Sequence, residues 1–172
     1  MEKYGPRIEG TTLVDHYLIF DNEIPIGYIQ VYKICAYPDY NDYIGADKRT
    51  AGIDMFIGER HYLNKGFGSG ALHQFINQIV FQRQDIDQCL IGPEPTNKAA
   101  IRAYQKAGFQ YFKTVQIPDQ NRSEYLMRID RAGMSFSRWN CTRELPTQFR
   151  PENKILSKRV ANTCWIIGQI MD

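Results

Sequence analysis

Residues 50–80 read TAGIDMFIGERHYLNKGFGSGALHQFINQIV, and the order of elements in that stretch decides the fold. Ala51-Gly52-Ile53-Asp54-Met55-Phe56-Ile57 is apolar apart from one acid and reads as a buried strand. Leu63-Asn64-Lys65-Gly66-Phe67-Gly68-Ser69-Gly70 reads as a glycine-rich loop. A helix follows at once, with the apolar pairs Ala71/Leu72, Phe75/Ile76 and Ile79/Val80 on one face. Glycines let a backbone approach a ligand, and a helix start carries amide N–H groups with no partner inside the helix. The combination suits a phosphate or pyrophosphate, although the same pattern also serves as a plain tight turn. The glycine spacing does not meet the dinucleotide fingerprint GxGxxG, and no Gly-Lys-Ser/Thr ends the run as in a P-loop. Nicotinamide cofactors and ATP are therefore disfavoured.

Working outward, residues 97–109, NKAAIRAYQKAGF, form a second helix signal. Asn97 stands at the N-cap position after Pro93-Glu94-Pro95-Thr96, and Gly108 at the position of a left-handed C-cap. With these residues in view, the chain resembles the GNAT superfamily of acyl-CoA-dependent N-acyltransferases. GIDMFIG, LNKGFGSG and PTNKAAIRAYQKAGF are most similar to the aminoglycoside 6′-N-acetyltransferases, with the acyltransferases of hydroxamate siderophore synthesis close behind. The resemblance covers about Tyr17 to Asp130.

Upstream, Tyr17-Leu18-Ile19-Phe20 and residues 26–32 (IGYIQVY) form a hairpin around Asp21-Asn22-Glu23. Tyr28, Gln30 and Tyr32 share one face, and Ile29 and Val31 the other. Residues 37–48 read as a loop that mixes acids with tyrosines. Downstream come a short strand at Cys89-Leu90-Ile91-Gly92, a strand over 109–117, a turn at Asp119-Gln120-Asn121, and an antiparallel return strand from Glu124 to Ile129. The order of elements implies an α/β (α+β) sandwich, with a mixed, mainly antiparallel sheet flanked by helices. Against the GNAT pattern the N-terminal part is shortened. We expect an acyltransferase domain over 1–131 and an extra C-terminal extension over 132–172. The extension ends in an amphipathic helix from about Glu152, which sets Ile155, Leu156, Val160, Cys164 and Ile167 near one face. That tail would pack where the usual N-terminal helices lie or on a second subunit, so a homodimer is an open expectation.

The 172 residues carry 21 Lys and Arg against 19 Asp and Glu, a net charge of +2, so no strong field recruits nucleic acid or a membrane surface. Cys35, Cys89, Cys141 and Cys164 are scattered without a CxxC and read as reduced thiols of a cytoplasmic protein, without a disulfide framework or zinc site. His16, His61 and His73 have no metal-ligand spacing and read as surface or loop residues.

The resemblance implies acetyl-CoA as acyl donor, no metal, and a small amine as acceptor. The backbone of Lys65, Gly66, Phe67, Gly68, Ser69 and Gly70 would cradle the pyrophosphate, and the strand through Phe56 and Ile57 would lie beside the pantetheine arm. Asn97, Ala100, Tyr104 and Lys106 would complete the cofactor site; Asn97 equally serves as a cap alone. Tyr104 matches the family tyrosine that protonates the leaving sulfur, against a plain amphipathic-helix tyrosine. Asp54 matches the acid that binds and deprotonates the acceptor amine, against a structural ion pair. Glu94 is the next substrate-binding candidate, because the resembled enzymes often carry an acid in the loop before the Asn97 helix; here the register places Gly92 at that position and Glu94 two residues on, which counts against an aminoglycoside specifically. Asp39, Asp42 and Tyr43 could greet a polycation, against a solvated surface. The leading function is N-acetylation of a polycationic amine, with the 6′-amine of an aminoglycoside as the named case. A siderophore-type acyltransferase and a non-catalytic CoA-binding remnant remain the alternatives.

Overall fold

The computed structural model describes residues 13–117, 122–133 and 147–151. In chain order its elements are β1 (Val14–Asp21), β2 (Ile24–Lys33), α1 (Pro38–Ile44), β3 (Thr50–Ile57), α2 (Phe67–Phe75, running on as a π turn over Ile76–Val80), β4 (Gln88–Ile91), α3 (Lys98–Lys106), β5 (Gln110–Ile117), β6 (Arg122–Asp130) and β7 (Thr147–Pro151). The seven strands form one sheet in the order β5-β6-β4-β3-β2-β1-β7. Every neighbouring pair is antiparallel except β3 with β4, so the expected mixed, mainly antiparallel sheet is what forms.

The two-residue period of the strands gives this sheet two different faces. One face carries Ile29, Val31, Ile53, Met127 and Ile129, which cluster with Leu72, Phe75 and Ile76 of the α2 segment and Ile101 of α3. Phe75 and Leu72 are fully buried, each worth about 1.5–3 kcal/mol of burial. The other face holds a smaller cluster of Ile34, Ile44, Leu90 and Leu126, with Tyr32 and Tyr40 packed against it. The alternation in β2 turns out as the sequence predicts: Ile29 and Val31 are buried on the first face, and Tyr28, Gln30 and Tyr32 are half-buried on the second.

Residues 37–48 are not a loop throughout: Pro38–Ile44 is helical. Proline is tolerated in a first turn because its missing N–H would have no partner there, and Asp39 favours the positive helix start. Ile44 is fully buried against the second face, and Gly45, left-handed at φ 60°, ends the helix. Tertiary burial of Ile44 outweighs the weak helix propensity of the tyrosines, asparagine and aspartates around it.

β7 comes from the segment read as an extension, and it adds an antiparallel edge strand to β1 in register Tyr17↔Pro151 to Asp21↔Thr147. Arg150 pairs with Glu23 at 2.7 Å and lies 4.5 Å over the Phe20 ring. Phe149 meets Phe75 edge-on, with ring centroids 5.1 Å apart. The turn at 119–121 and the amphipathic helix expected from about Glu152 lie outside the described residues.

Phe149→Ala removes the side chain that ties β7 to α2. We expect a loss of about 1–2 kcal/mol, read as a lower urea midpoint at unchanged slope. An unchanged midpoint would show that this strand contributes nothing to the packed sheet.

Candidate active site

The site begins where one hydrogen-bond ladder stops. β3 and β4 are in register at Thr50↔Gln88, Ala51↔Cys89 and Gly52↔Leu90, and the parallel pairing ends there. β3 continues to Ile57 along β2, while the chain after β4 stays with β6, the Pro93 carbonyl accepting from the Tyr125 amide at 2.9 Å. The β4-facing edge of β3 is therefore open from Ile53 onward. This corrects the reading of the whole strand as buried: Thr50–Ile53 are buried, but Asp54–Ile57 are only half-buried, because β4 no longer covers them.

The glycine loop closes one end of this opening. Gly66 has φ 87° and a Cβ there would meet nothing within 4 Å, so its backbone angle and not its space calls for glycine. Ser69 donates its hydroxyl to the Gly66 carbonyl at 3.0 Å, and the Gly70 amide donates to it at 2.9 Å, which holds the first turn of α2. The amides of Phe67, Gly68 and Ser69 lie in that turn, where a helix has no acceptor of its own to offer. A Cβ on Gly68 would stand 3.7 Å from the Ile57 side chain, so the helix start sits beside the end of β3. Phe56 faces the opposite side of β3 from Ile57 and stacks on Tyr28 at 5.6 Å. Lys65 is exposed beside the loop.

α3 supplies Tyr104. The Asn97 side chain accepts from the Ala100 amide at 3.0 Å, so it caps the helix, and Gly108 at φ 105° follows its last turn. Ala100 is half-buried and Lys106 exposed in the last turn. Tyr104 is partly buried, packs on the core and tilts against Phe109 at 6.4 Å. Burial, and then the negative charge of Asp54, push its hydroxyl well above the usual phenol range. It holds its proton through neutral pH and is a donor there.

A cavity of about 280 Å³ opens on the second face of the sheet, lined among others by Gln30, Tyr32, Tyr37, Tyr40, Asp54 and Glu124. Gln30 lies opposite Asp54 in the β2–β3 register and donates its amide to the Asp54 carboxylate at 2.7 Å. The Tyr28 hydroxyl donates to Gln30 Oε1 at 2.9 Å, and His16 Nδ1 meets that same hydroxyl. His16 is thus a strand residue in a polar chain that ends on Asp54, which corrects its reading as a surface or loop histidine. On the far wall Tyr40 donates to the Glu124 carboxylate at 2.8 Å, and Glu124 is only 5% exposed. Tyr32 lies between the two acids: burial first, then the charges of Asp54, Tyr40 and Glu124, raise its hydroxyl well above the phenol range. Cys89 is fully buried, and burial followed by Asp54 raises its thiol so far that no thiolate is present at neutral pH. Cys141 and Cys164 lie outside the described residues. Among the described residues no group of three or more His, Cys, Asp or Glu could hold a metal ion, and no helix is long and apolar enough to cross a membrane.

Other sequence candidates fall away from this cavity. Asp39, Asp42 and Tyr43 are exposed on α1 and do not line it, whereas Tyr37 and Tyr40 of the same segment do. Glu94 is exposed; its carboxylate accepts from the Thr96 hydroxyl at 3.5 Å and its carbonyl from the Asn97 amide at 2.9 Å. Sequence reasoning missed Gln30, Tyr40 and Glu124. Alternation along β6 puts Glu124 on the same face as buried Leu126, but does not tell that this face meets the cavity.

The model of the Acetyltransferase (GNAT) domain matches residues 1–117. The chain belongs to the GNAT acetyltransferase family. Aminoglycoside N(6′)-acetyltransferase type 1 of Klebsiella pneumoniae is 31% identical over 118 residues, which is 69% of this GNAT chain and 58% of that relative. The chain therefore spans less than two thirds of the length of that curated relative. A kanamycin resistance protein of Rhizobium radiobacter is 33% identical over 73 residues, 42% of this chain and 67% of that one. Among solved structures, aminoglycoside acetyltransferase AAC(6′)-Ib in complex with coenzyme A and kanamycin superposes with a TM-score of 0.67 at 29% identity, covering 77% of this chain and 75% of that one.

The Asn97 geometry gives a test of its own. Asn97→Ala should lower stability by about 1 kcal/mol, and Asn97→Asp, which keeps the capping oxygen, should restore most of it. Equal urea midpoints for both variants and the parent would show that Asn97 does not act as a cap.

Proposed function

We propose that this chain is an acetyl-CoA-dependent N-acetyltransferase acting on a primary amine of a small polycationic acceptor, with the 6′-amine of an aminoglycoside as the first case. The observation that carries the reading is the convergence on one opening in the sheet of a helix-start anion site, the electrostatically linked pair Asp54 and Tyr104, and a carboxylate-lined cavity. Membership of the GNAT family and the likeness to aminoglycoside acetyltransferases support it.

Acetyl-CoA would supply the activated acetyl group as a thioester, and the residues present fit that donor. The amides of Phe67, Gly68 and Ser69 would meet the pyrophosphate with no negative side chain among residues 66–70, and the open β3 edge from Ile53 to Ile57 offers groups that bond an amide-bearing arm as an added strand would. Asp54 takes one proton from the acceptor ammonium, directly or through water, and leaves a neutral amine whose lone pair forms the new C–N bond. Gln30 holds the Asp54 carboxylate in place for this. The C–S bond breaks, Tyr104 gives its proton to the departing sulfur, and the nitrogen loses its remaining extra proton to solvent; the proton taken by Asp54 then returns to Tyr104 by way of solvent, so one proton is released overall. No covalent acetyl-enzyme is needed, consistent with a Cys89 that stays protonated. Asp54 and the tyrosine faces of the cavity suit an acceptor bearing several ammonium groups.

Thiol release from acetyl-CoA with tobramycin or kanamycin tests the reading. Tyr104→Phe should lower kcat about 100-fold at unchanged KM for acetyl-CoA, and Asp54→Asn should lower kcat/KM for the acceptor at least as far. Because the Tyr104 hydroxyl is raised above its ordinary value of 10.0, it stays protonated at all lower pH, so kcat should show no alkaline fall below about pH 10. A folded protein that releases no thiol with tobramycin, kanamycin or spermidine overturns the proposal.

A further inference from the structure

We infer that Glu124 is a specificity-determining carboxylate of the acceptor cavity, holding a second ammonium of a polycationic acceptor at the wall opposite Asp54. The inference rests on the function proposed above and adds to it a residue on a strand that no sequence motif marks.

Three observations carry it. First, Glu124 is a carboxylate only 5% exposed, on the cavity wall, in a row of β6 whose next same-face residue is the buried Leu126. An apolar side chain would fill that position at no desolvation cost, so a buried acid here calls for a purpose beyond packing. Second, Tyr40 of α1 donates to its Oε2 at 2.8 Å, so the carboxylate is oriented by a side chain that also lines the cavity. Third, the end of β4 is cut back to make room. A Cβ on Gly92 would stand 2.8 Å from Glu124 Oε2, 3.3 Å from its carboxyl carbon and 3.2 Å from the Leu126 side chain. Glu124 thus occupies the space into which any side chain at position 92 would project, and one carboxylate serves a wall that two strands could have supplied.

The two acids of the cavity have different neighbours, and this divides their work. Asp54 is electrostatically linked to Tyr104, the proton donor of the transfer, whereas Glu124 is not among the groups that perturb that tyrosine. Glu124 instead acts on Tyr32, which lies between the two acids. Asp54 faces the reacting amine, and Glu124 faces an ammonium further along the acceptor. Its loss should therefore weaken acceptor binding and spare the chemical step.

The test uses the full chain with acetyl-CoA and tobramycin. Glu124→Gln keeps the shape and can still accept from Tyr40. We expect KM for tobramycin to rise about tenfold or more, with kcat falling less than threefold and KM for acetyl-CoA unchanged. The parent KM should also climb more steeply than the variant's between about 0.05 and 0.5 M NaCl, because a charge pair has been removed. A purely structural role would not move that salt slope. The double variant Gly92→Asp with Glu124→Ala returns a carboxylate to the same space from the β4 side and should recover a low KM for tobramycin. It also decides the matter should Glu124→Gln fail to fold. Equal KM and equal salt slope in parent and Glu124→Gln, with the parent active, overturn the inference and leave the proposed function standing. A parent that acetylates no polycation overturns the proposed function and the inference with it.

Discussion

The early end of the β3–β4 ladder is the constraint on which the rest of the structure depends. A parallel pair that continued past Gly52↔Leu90 would satisfy the backbone of β3 on both edges and leave no opening in the sheet. Because it stops, the amides and carbonyls of alternate residues between 53 and 57 face outward on one edge, while those of the residues between them pair with β2. Backbone groups in that position need a partner, and water or an extended amide-bearing ligand can supply one. The helix start at Gly66–Ser69 stands at the end of that edge because Gly68 sits against Ile57. The charge of Asp54 on β3 reaches Tyr104 of α3 and, after burial, helps to raise its hydroxyl above the usual phenol range.

The two faces of the sheet are covered unequally. Phe75, Ile76, Leu72 and their partners bury one face almost completely, so that face supplies most of the hydrophobic stabilisation. The other face is covered only in part, by α1 and the small Ile34–Ile44–Leu90–Leu126 cluster, and the remainder is polar. Gln30, Asp54, Tyr28 and Glu124 can sit there because they satisfy one another through hydrogen bonds or line a cavity. β7 widens the first face by a strand, and its Phe149 packs on the same Phe75 that anchors α2.

Much of this was legible in the sequence, and the physics explains which parts were not. The β3-loop-α2 run and the α3 helix announce themselves through local signals: a period of 3.6, a capping Asn97, and glycines where backbone angles are positive. Helix α1 was hidden because proline, asparagine, aspartate and tyrosine give a weak local signal, and burial of Ile44 decides the matter. That miss carried a second one. Read as a loop, the segment draws the eye to its acids; as a helix it turns Tyr37, Tyr40 and Ile44, three and four residues apart, inward and leaves Asp39, Asp42 and Tyr43 exposed. Glu124 was hidden because alternation along β6 shows which residues share a face but not which face meets the cavity; the neighbouring strands and α1 settle that. Asp54 was visible as the one acid in an apolar strand, but its Gln30 partner depends on register across β2 and β3, which one strand read alone does not give.

The central claim is that the opening beside β3, together with the start of α2, is where the acyl donor lies. Amide hydrogen exchange with and without acetyl-CoA tests it most directly. The account predicts slowed exchange at the amides of residues 53–57 and 66–70, with little change in β1, β5 and β7. Protection centred elsewhere, or none at saturating acetyl-CoA, would contradict it.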